Sequence, residues 1–429
     1  MRLETDGKGE LLPARNVSFL VAPLIAVALV IYPAALQAQH LPGIDLKLSG
    51  QAVPVYTRAD PIPGGNRLSE LRVVQPVLML DATSFGGRLQ FHATANLEGW
   101  TIERGELAPG DWGEGFIDRR HPHTYVHELM LSGRDLLGRL DGPVSISLSA
   151  GKGFVAFGTD DPMSRPSLRY PVNHHFSQIL ERAVGVLGIA WGPVMIEGSL
   201  FNGDEPERPG QWPLLSRFGD SWSFRGTLMP MEGVELQVSR AHVHSPEHRP
   251  GQGPDQIKLN VSGRWQRDIA GLPVYAMVEY ARTEEANGFF LYHSWLGEAQ
   301  VQKSRHRAYY RFERTERPEE SRLIDPFRTQ RPHLDNSILG ISRWTVHTAG
   351  YGLTLIRTRS GLNVEPFVEV SRARVKALSG LFDPVALFGD DTIWSGSVGV
   401  RVVWRMLGHR MGRYGVAAPN MHQMDKMQM

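Results

Sequence analysis

The sequence predicts an all-β fold: a transmembrane antiparallel β-barrel of about 16 strands, preceded by a cleavable export segment. Three observations predict it. From Leu46 onward, segments of about ten residues alternate apolar and polar side chains with period 2. The connections between these segments alternate short and long, as they do where short periplasmic turns face longer outer loops. Beyond the N-terminus, no apolar run approaches the roughly 18–20 residues that a spanning helix needs.

Composition agrees with strands that face lipid on one side and water on the other. The chain holds 45 Gly, 10 Trp, 11 Tyr and 17 Phe, while its mean hydropathy is slightly negative, too polar for a bundle of membrane helices. Lys and Arg number 46 against 45 Asp and Glu, so no one-sided basic surface points to nucleic acid. The absence of Cys means that the fold stands without disulfides and carries no lipid on an N-terminal Cys.

At the N-terminus Arg2, Lys8 and Arg15 form a basic region, and Val17 to Leu36 is nearly all apolar. Ala38 then offers a small residue before Gln39, so residues 1–38 read as a signal peptide cut after Ala38. The competing reading is a permanent N-terminal anchor; Pro33 and the small residues near Ala38 favour cleavage. Residues 39–405 read as the barrel and 406–429 as a Met/His-rich periplasmic tail.

The strands are expected at 46–56, 71–82, 88–98, 124–136, 144–152, 181–191, 194–202, 221–229, 234–243, 256–266, 274–283, 289–303, 305–314, 337–358, 362–373 and 393–405. The clearest runs from Arg88 to Leu97. Leu89, Phe91, Ala93, Ala95 and Leu97 form one face, and Arg88, Gln90, His92, Thr94 and Asn96 the other. Ile257, Leu259, Val261 and Trp265 oppose Lys258, Asn260, Ser262 and Arg264 in the same way, as Val398, Val400, Val402 and Trp404 oppose Ser397, Gly399, Arg401 and Arg405. Long loops are expected near 57–70, 99–123, 153–179, 203–220, 244–255, 284–288, 315–336 and 374–392. The even count returns both termini to one side, and it depends on 337–358 being a single long strand. A soluble sandwich or propeller would also alternate, but it would hide its apolar face and carry polar residues outward. No blade-length repeat is present.

On this pattern, over nearly the whole of residues 39–405, the chain resembles the general Gram-negative porins. The terminal strand, Ser397 to Trp404, ends on an aromatic residue, similar to the terminal strand that barrel-assembly machinery recognises in that family; the chain departs from it by continuing for 25 residues to Met429. The resemblance implies an outer-membrane channel that passes small hydrophilic solutes or ions by passive diffusion. It also implies outer-membrane lipid and the assembly machinery as partners, and allows a homotrimer.

Strand alternation names the side chains expected to line the pore: Arg88, His92, Lys258, Arg264, Glu279, Arg305, Arg307, Arg311, Glu313, Glu365, Glu369 and Arg401. Arg305, Arg307 and Arg311 form the densest run. They read either as an anion-attracting ladder or as wall charges paired with Glu313 and other acids; the near balance of inward charge favours pairing. Tyr275, Tyr309 and Phe367 are bulky inward residues.

In porins a long loop often folds inward, and Gly153–Glu181 is the candidate here. It places Asp160, Asp161, His174 and His175 at an expected constriction, where they could also hold a metal. The simpler expectation is that Asn173 caps a short helix over Phe176–Arg182 and that the aspartates pair with Arg165 or Arg169. His121, His123 and His127 with Glu128 read either as a surface metal site or as solvated loop histidines. In the tail, Met421, His422, Met424, Met427 and Met429 form a soft donor set suited to Cu(I), the one cofactor the sequence suggests.

No enzyme constellation stands out. His242 and His244 with Ser239 or Ser245 are the nearest approach to the outer-wall Ser and His of a barrel lipid hydrolase. The leading reading is therefore a diffusion channel. The alternatives are a plugged barrel with a binding or copper-handling role and a lipid hydrolase.

Overall fold

The computed structural model describes residues 43–62, 66–101, 123–137, 142–165, 167, 169–172, 174–206, 209–246, 251, 253–320, 338–380, 382–405 and 410–418. The expected signal peptide and the Met/His cluster of the tail lie outside these residues, as do His121 and Asn173.

Seventeen strand segments form one sheet. They are β1 (Ile44–Ile62), β2 (Asn66–Ser84), β3 (Leu89–Asn96), β4 (Val126–Gly133), β5 (Val144–Gly153), β6 (Arg182–Trp191), β7 (Val194–Phe201), β8 (Ser221–Met231) and β9 (Val234–Val243). They continue with β10 (Gln256–Ile269), β11 (Leu272–Glu285), β12 (Phe290–Lys303), β13 (His306–Glu320), β14 (Ile338–Leu353), β15 (Ile356–Arg357), β16 (Leu362–Gly380) and β17 (Thr392–Trp404). Each pairs antiparallel with its neighbours, and β1 pairs with both β2 and β17, which closes the sheet. β14 and β15 share the partner β16. They are one stave interrupted at Thr354 and Leu355, so the barrel has 16 staves, as the single long strand at 337–358 requires.

The barrel is inside-out relative to a soluble protein. On β6 and β7, Leu187, Ile189, Ile196 and Leu200 are exposed, while Glu197 and Ser199 are buried. Ile257 and Val261 point outward on β10, and Lys258 and Asn260 inward. Val368, Val370 and Val398 continue the outward set. Burial of charge beneath an apolar exterior excludes the soluble sandwich and describes a wall built for lipid.

The short turns depend on left-handed backbone. Between β10 and β11, Ala270 (φ 54°) and Gly271 (φ 79°) both take the positive values that a tight hairpin twisted with its strands demands.

The expected loops at 57–70, 315–336 and 374–392 are shortened, because β1, β2, β13 and β16 run on to Ile62, from Asn66, to Glu320 and to Gly380. The alternation signal ends before the ladder does. Beyond the apolar band, the outward positions of β16 become Arg372, Arg374 and Lys376, yet cross-strand backbone bonding continues. Two short helices, α1 (Glu98–Thr101) and α2 (Pro384–Phe388), lie in long connections. Phe388 of α2 packs with Trp344, Val346 and Ile393 at that end of the barrel.

Candidate functional site

The lumen is crossed by the segment 154–180. Its apolar side chains Phe154, Phe157, Met163 and Ile179 cluster with Met79, Phe201 and Val243 from the wall. Its polar groups reach strands around the barrel. Ala156 N donates to Ser199 Oγ on β7 (2.9 Å) and Gly158 N to Ser239 Oγ on β9 (2.9 Å). Thr159 and Ser177 hydroxyls donate to Glu279 on β11 (both 2.5 Å). Val172 N donates to Glu313 Oε2 on β13 (2.8 Å), and Arg169 to Glu369 on β16 (3.2 Å). Such breadth of contact follows from burying a loop inside a wall: every buried polar group must find a partner.

The expected helix over Phe176–Arg182 does not form. One 3₁₀ turn spans His174–Phe176, and no further helix precedes β6, which begins at Arg182 after Glu181 in left-handed backbone (φ 61°). Tertiary side-chain bonds outcompete local helix bonds there, with Ser177 held by Glu279 on the wall and Gln178 Nε2 donating to Asp161 of the same loop (3.1 Å).

Most of the expected pore-lining residues lie on the inner wall, in contact with one another or with this loop. Arg307 donates Nε and Nη2 to Glu365 Oε1 (2.9 and 2.5 Å). Arg311 meets Glu298 (3.1 Å) and donates to the carbonyls of Ser167 and Arg169. Lys258 Nζ donates to the His175 carbonyl (3.3 Å), and Arg401 to Gln51 Oε1 (3.2 Å). His92 bridges Asp81 and Glu128 (2.7 and 2.9 Å). Tyr275 and Tyr309 hydroxyls donate to Glu298 and Glu369 (2.7 and 2.8 Å), and Phe367 packs with Val53, Val55 and Val74. Arg88 and Arg305 are different. Both are exposed and fall in turns, after Phe85–Gly87 and between β12 and β13, not within a strand. The Arg305, Arg307 and Arg311 ladder is thus reduced to two paired arginines.

Asp160 is the focus of charge in the lumen. It accepts from Arg264 (2.7 Å), Arg410 (2.8 and 2.9 Å) and Arg413 (2.8 Å). The expected partners are corrected: Arg165 Nε donates only to the Asp160 carbonyl, and Arg169 pairs with Glu369. Burial alone would raise the Asp160 carboxyl, but Arg410, Arg413 and Arg264 hold it well below the ordinary aspartate range. Neighbouring Asp161 goes the other way. Its burial raises it, against opposing attraction from His127 and His123, while it accepts from Met163 N (2.7 Å). A site ringed by arginines suits an anion, not the metal considered for this loop. The His175 ring faces Glu205 (3.5 Å). Among the described residues, no group of three or more His, Cys, Asp or Glu is arranged to hold a metal ion.

His123 and His127 are neither solvated nor on the surface. Both are fully buried with ring centroids 4.8 Å apart, held by Glu98 (2.8 Å) and Glu181 (2.7 Å). The Ser239 version of the hydrolase constellation dissolves too. Ser239 is buried on the inner face and accepts from Gly158, whereas His242 lies on the opposite face of β9 and pairs with Asp255, as does His244.

Sequence reading missed the segment 410–418, which it assigned to a periplasmic tail. The segment lies inside the barrel. Tyr414 Oη donates to Glu128 Oε1 (2.6 Å) and accepts from Phe154 N (3.0 Å). Gly412 N donates to Glu128 (3.1 Å), Met411 N to Ser164 Oγ (3.0 Å) and Val416 N to Ser147 Oγ (3.0 Å). Arg410 also reaches Glu235 (2.7 Å). One signal was available: Gly412 and Gly415 bracket Arg413 and Tyr414. Gly412 (φ 75°) has Phe154 2.9 Å from where a Cβ would stand, and Gly415 (φ 55°) has the Ser147 side chain there.

The fold is similar to that of an anion-selective porin from Comamonas acidovorans, with a TM-score of 0.51 at 10% identity over 84% of this chain and 100% of that one. In-vitro-folded OmpT, an outer membrane protein of Vibrio cholerae, gives 0.49 at 9% identity over 86% of this chain and 100% of that one. OmpF of Salmonella typhi in complex with daunomycin gives 0.49 at 11% identity over the same shares. No family model matches the sequence, and no curated protein matches it.

Proposed function

We propose that this porin-like barrel is an outer-membrane channel that admits small hydrophilic solutes or ions by passive diffusion. One observation carries the reading: a closed 16-stave wall that is apolar outside and densely charged inside. A wall of that polarity rests in lipid and keeps water-compatible groups around a central axis. The segment 154–180 crosses that axis and sets the constriction. Because the lumenal arginines are matched by glutamates, the proposed channel discriminates weakly between cations and anions.

Outer-membrane lipid, barrel-assembly machinery and a homotrimeric state belong to the same proposal. The terminal strand supports recognition by that machinery, since β17 ends on the aromatic Trp404. Planar-bilayer recording of the purified chain tests the function. Stepwise conductance is expected, and its complete absence in protein that shows a folded, heat-modifiable gel band would overturn the reading. Chemical crosslinking in detergent tests the trimer.

A further inference from the structure

We infer that residues 410–418 are a tethered plug, which enters the lumen from the short-turn end and narrows the proposed channel without sealing it, holding it in a low-conductance state. This rests on the channel reading and goes beyond it.

The place of entry follows from the topology. β17 ends beside the short connection at Ser360 and Gly361, where Arg405 N donates to the Gly361 carbonyl (3.0 Å). The chain then returns into the barrel, so that Met411, Arg413, Tyr414, Val416 and Ala417 are all buried. Val416 and Ala417 pack on Met195 and Ala190, next to the short turn between β6 and β7. The segment therefore reaches from the barrel end to the depth of Asp160 and back.

The bonding is what a removable plug requires. The segment's bonds to the wall run through side chains at Glu128, Ser147, Glu235 and Gln237, and none of those described is a backbone rung of the sheet. Withdrawal would leave every strand pair intact. The segment also touches the constriction through Phe154, Asp160 and Ser164, so it fixes that loop as well.

Charge predicts what withdrawal would expose. Arg410 and Arg413 leave with the segment. Asp160 keeps Arg264 and Glu128 keeps His92, while Glu235 loses both arginines. The vacated lumen is then richer in carboxylate, and acidic walls favour cations. Release should widen the path and turn it toward cations together.

The test uses the full chain. It contains no Cys, so an introduced pair is the sole thiol pair. A Cβ built at Gly188 on β6 would stand 2.6 Å from Val416 Cγ2, which brings the two Cβ positions within disulfide reach. The variant Gly188→Cys/Val416→Cys is placed in an Arg410→Ala/Arg413→Ala background and recorded in planar bilayers. In the reduced form, conductance several-fold above that of the unaltered chain and a reversal potential shifted toward cations are expected. Oxidation should return conductance to the unaltered level. Reduced and oxidised forms that both conduct like the unaltered chain would overturn the plug and leave the channel standing. No conductance from any form would overturn both. If the arginine variant fails to give the folded gel band, the cysteine pair is placed in an Arg410→Ala background alone and recorded in the same way. Conductance above that of the unaltered chain in the reduced form and lost on oxidation then supports the plug, and reduced and oxidised forms that conduct alike overturn it.

Discussion

Arg413 donates its Nε to Asp160 Oδ1 at 2.8 Å across 253 residues of chain, joining the segment after the last strand to the loop inside the barrel. Arg264 and Arg410 complete the contact from β10 and from the same segment. Asp160→Asn leaves three arginines converging on a neutral amide. Removing one partner from a buried ionic cluster costs about 3–5 kcal/mol. The variant is expected to unfold at a lower temperature in detergent, measured by circular dichroism or by the heat-modifiable gel shift; an unchanged transition would show that the cluster adds nothing.

The pH dependence of this contact follows from the depressed carboxyl. A carboxylate held below its unfolded value of 3.8 contributes stability that is present above that value and is lost only as pH falls through the lower folded one. Stability from Asp160 is therefore constant from mildly acidic to neutral pH and disappears only in strong acid. Asp161, raised by burial, has the opposite sign: its contribution is present below 3.8 and is lost as pH climbs through the raised value. Comparing pH–melting curves of Asp161→Asn and the unaltered chain checks this, with a flatter curve expected for the variant at mildly acidic pH.

Arg307 and Glu365 offer a paired test of the inner wall, since each neutralises the other. Arg307→Ala leaves a bare carboxylate and is expected to shift the reversal potential toward cations. Glu365→Gln leaves a bare guanidinium and is expected to shift it toward anions. Equal potentials in both variants under a salt gradient would remove this pair from the conduction path.

Leu187 lies near the middle of β6 and is exposed on the outer face, opposite Leu148. Leu187→Arg puts a charge at the depth of the apolar band, where the cost in a barrel is about 2–4 kcal/mol. Urea-dependent folding into lipid vesicles should register that loss. A change within experimental error would mean that this face does not meet hydrocarbon.

The strands were legible from the sequence almost one by one because their signal is local. Leu89, Phe91, Ala93 and Ala95 state the lipid face of β3 without reference to any other part of the chain. The signal inverted where charged residues take the outward face, as at Arg372 and Arg374 with Ala373 and Val375 buried inward, and there the strands outran their expected ends. Inward direction was legible by parity for Lys258, Glu279, Arg311 and Glu369, but not at strand ends, where Arg88 and Arg305 have left the ladder.

Alternation of period 2, with turns between, was enough by itself to predict an antiparallel barrel of about 16 staves, with the exact count resting on 337–358 being one strand. Only the tertiary structure decided what fills it. Which carboxylate meets which arginine depends on closure of the wall, on a loop crossing from β5 to β16, and on the return of residues 410–418 to Asp160 and Glu128. Those contacts join residues hundreds of positions apart, and a periodic pattern read along the chain carries no information about them.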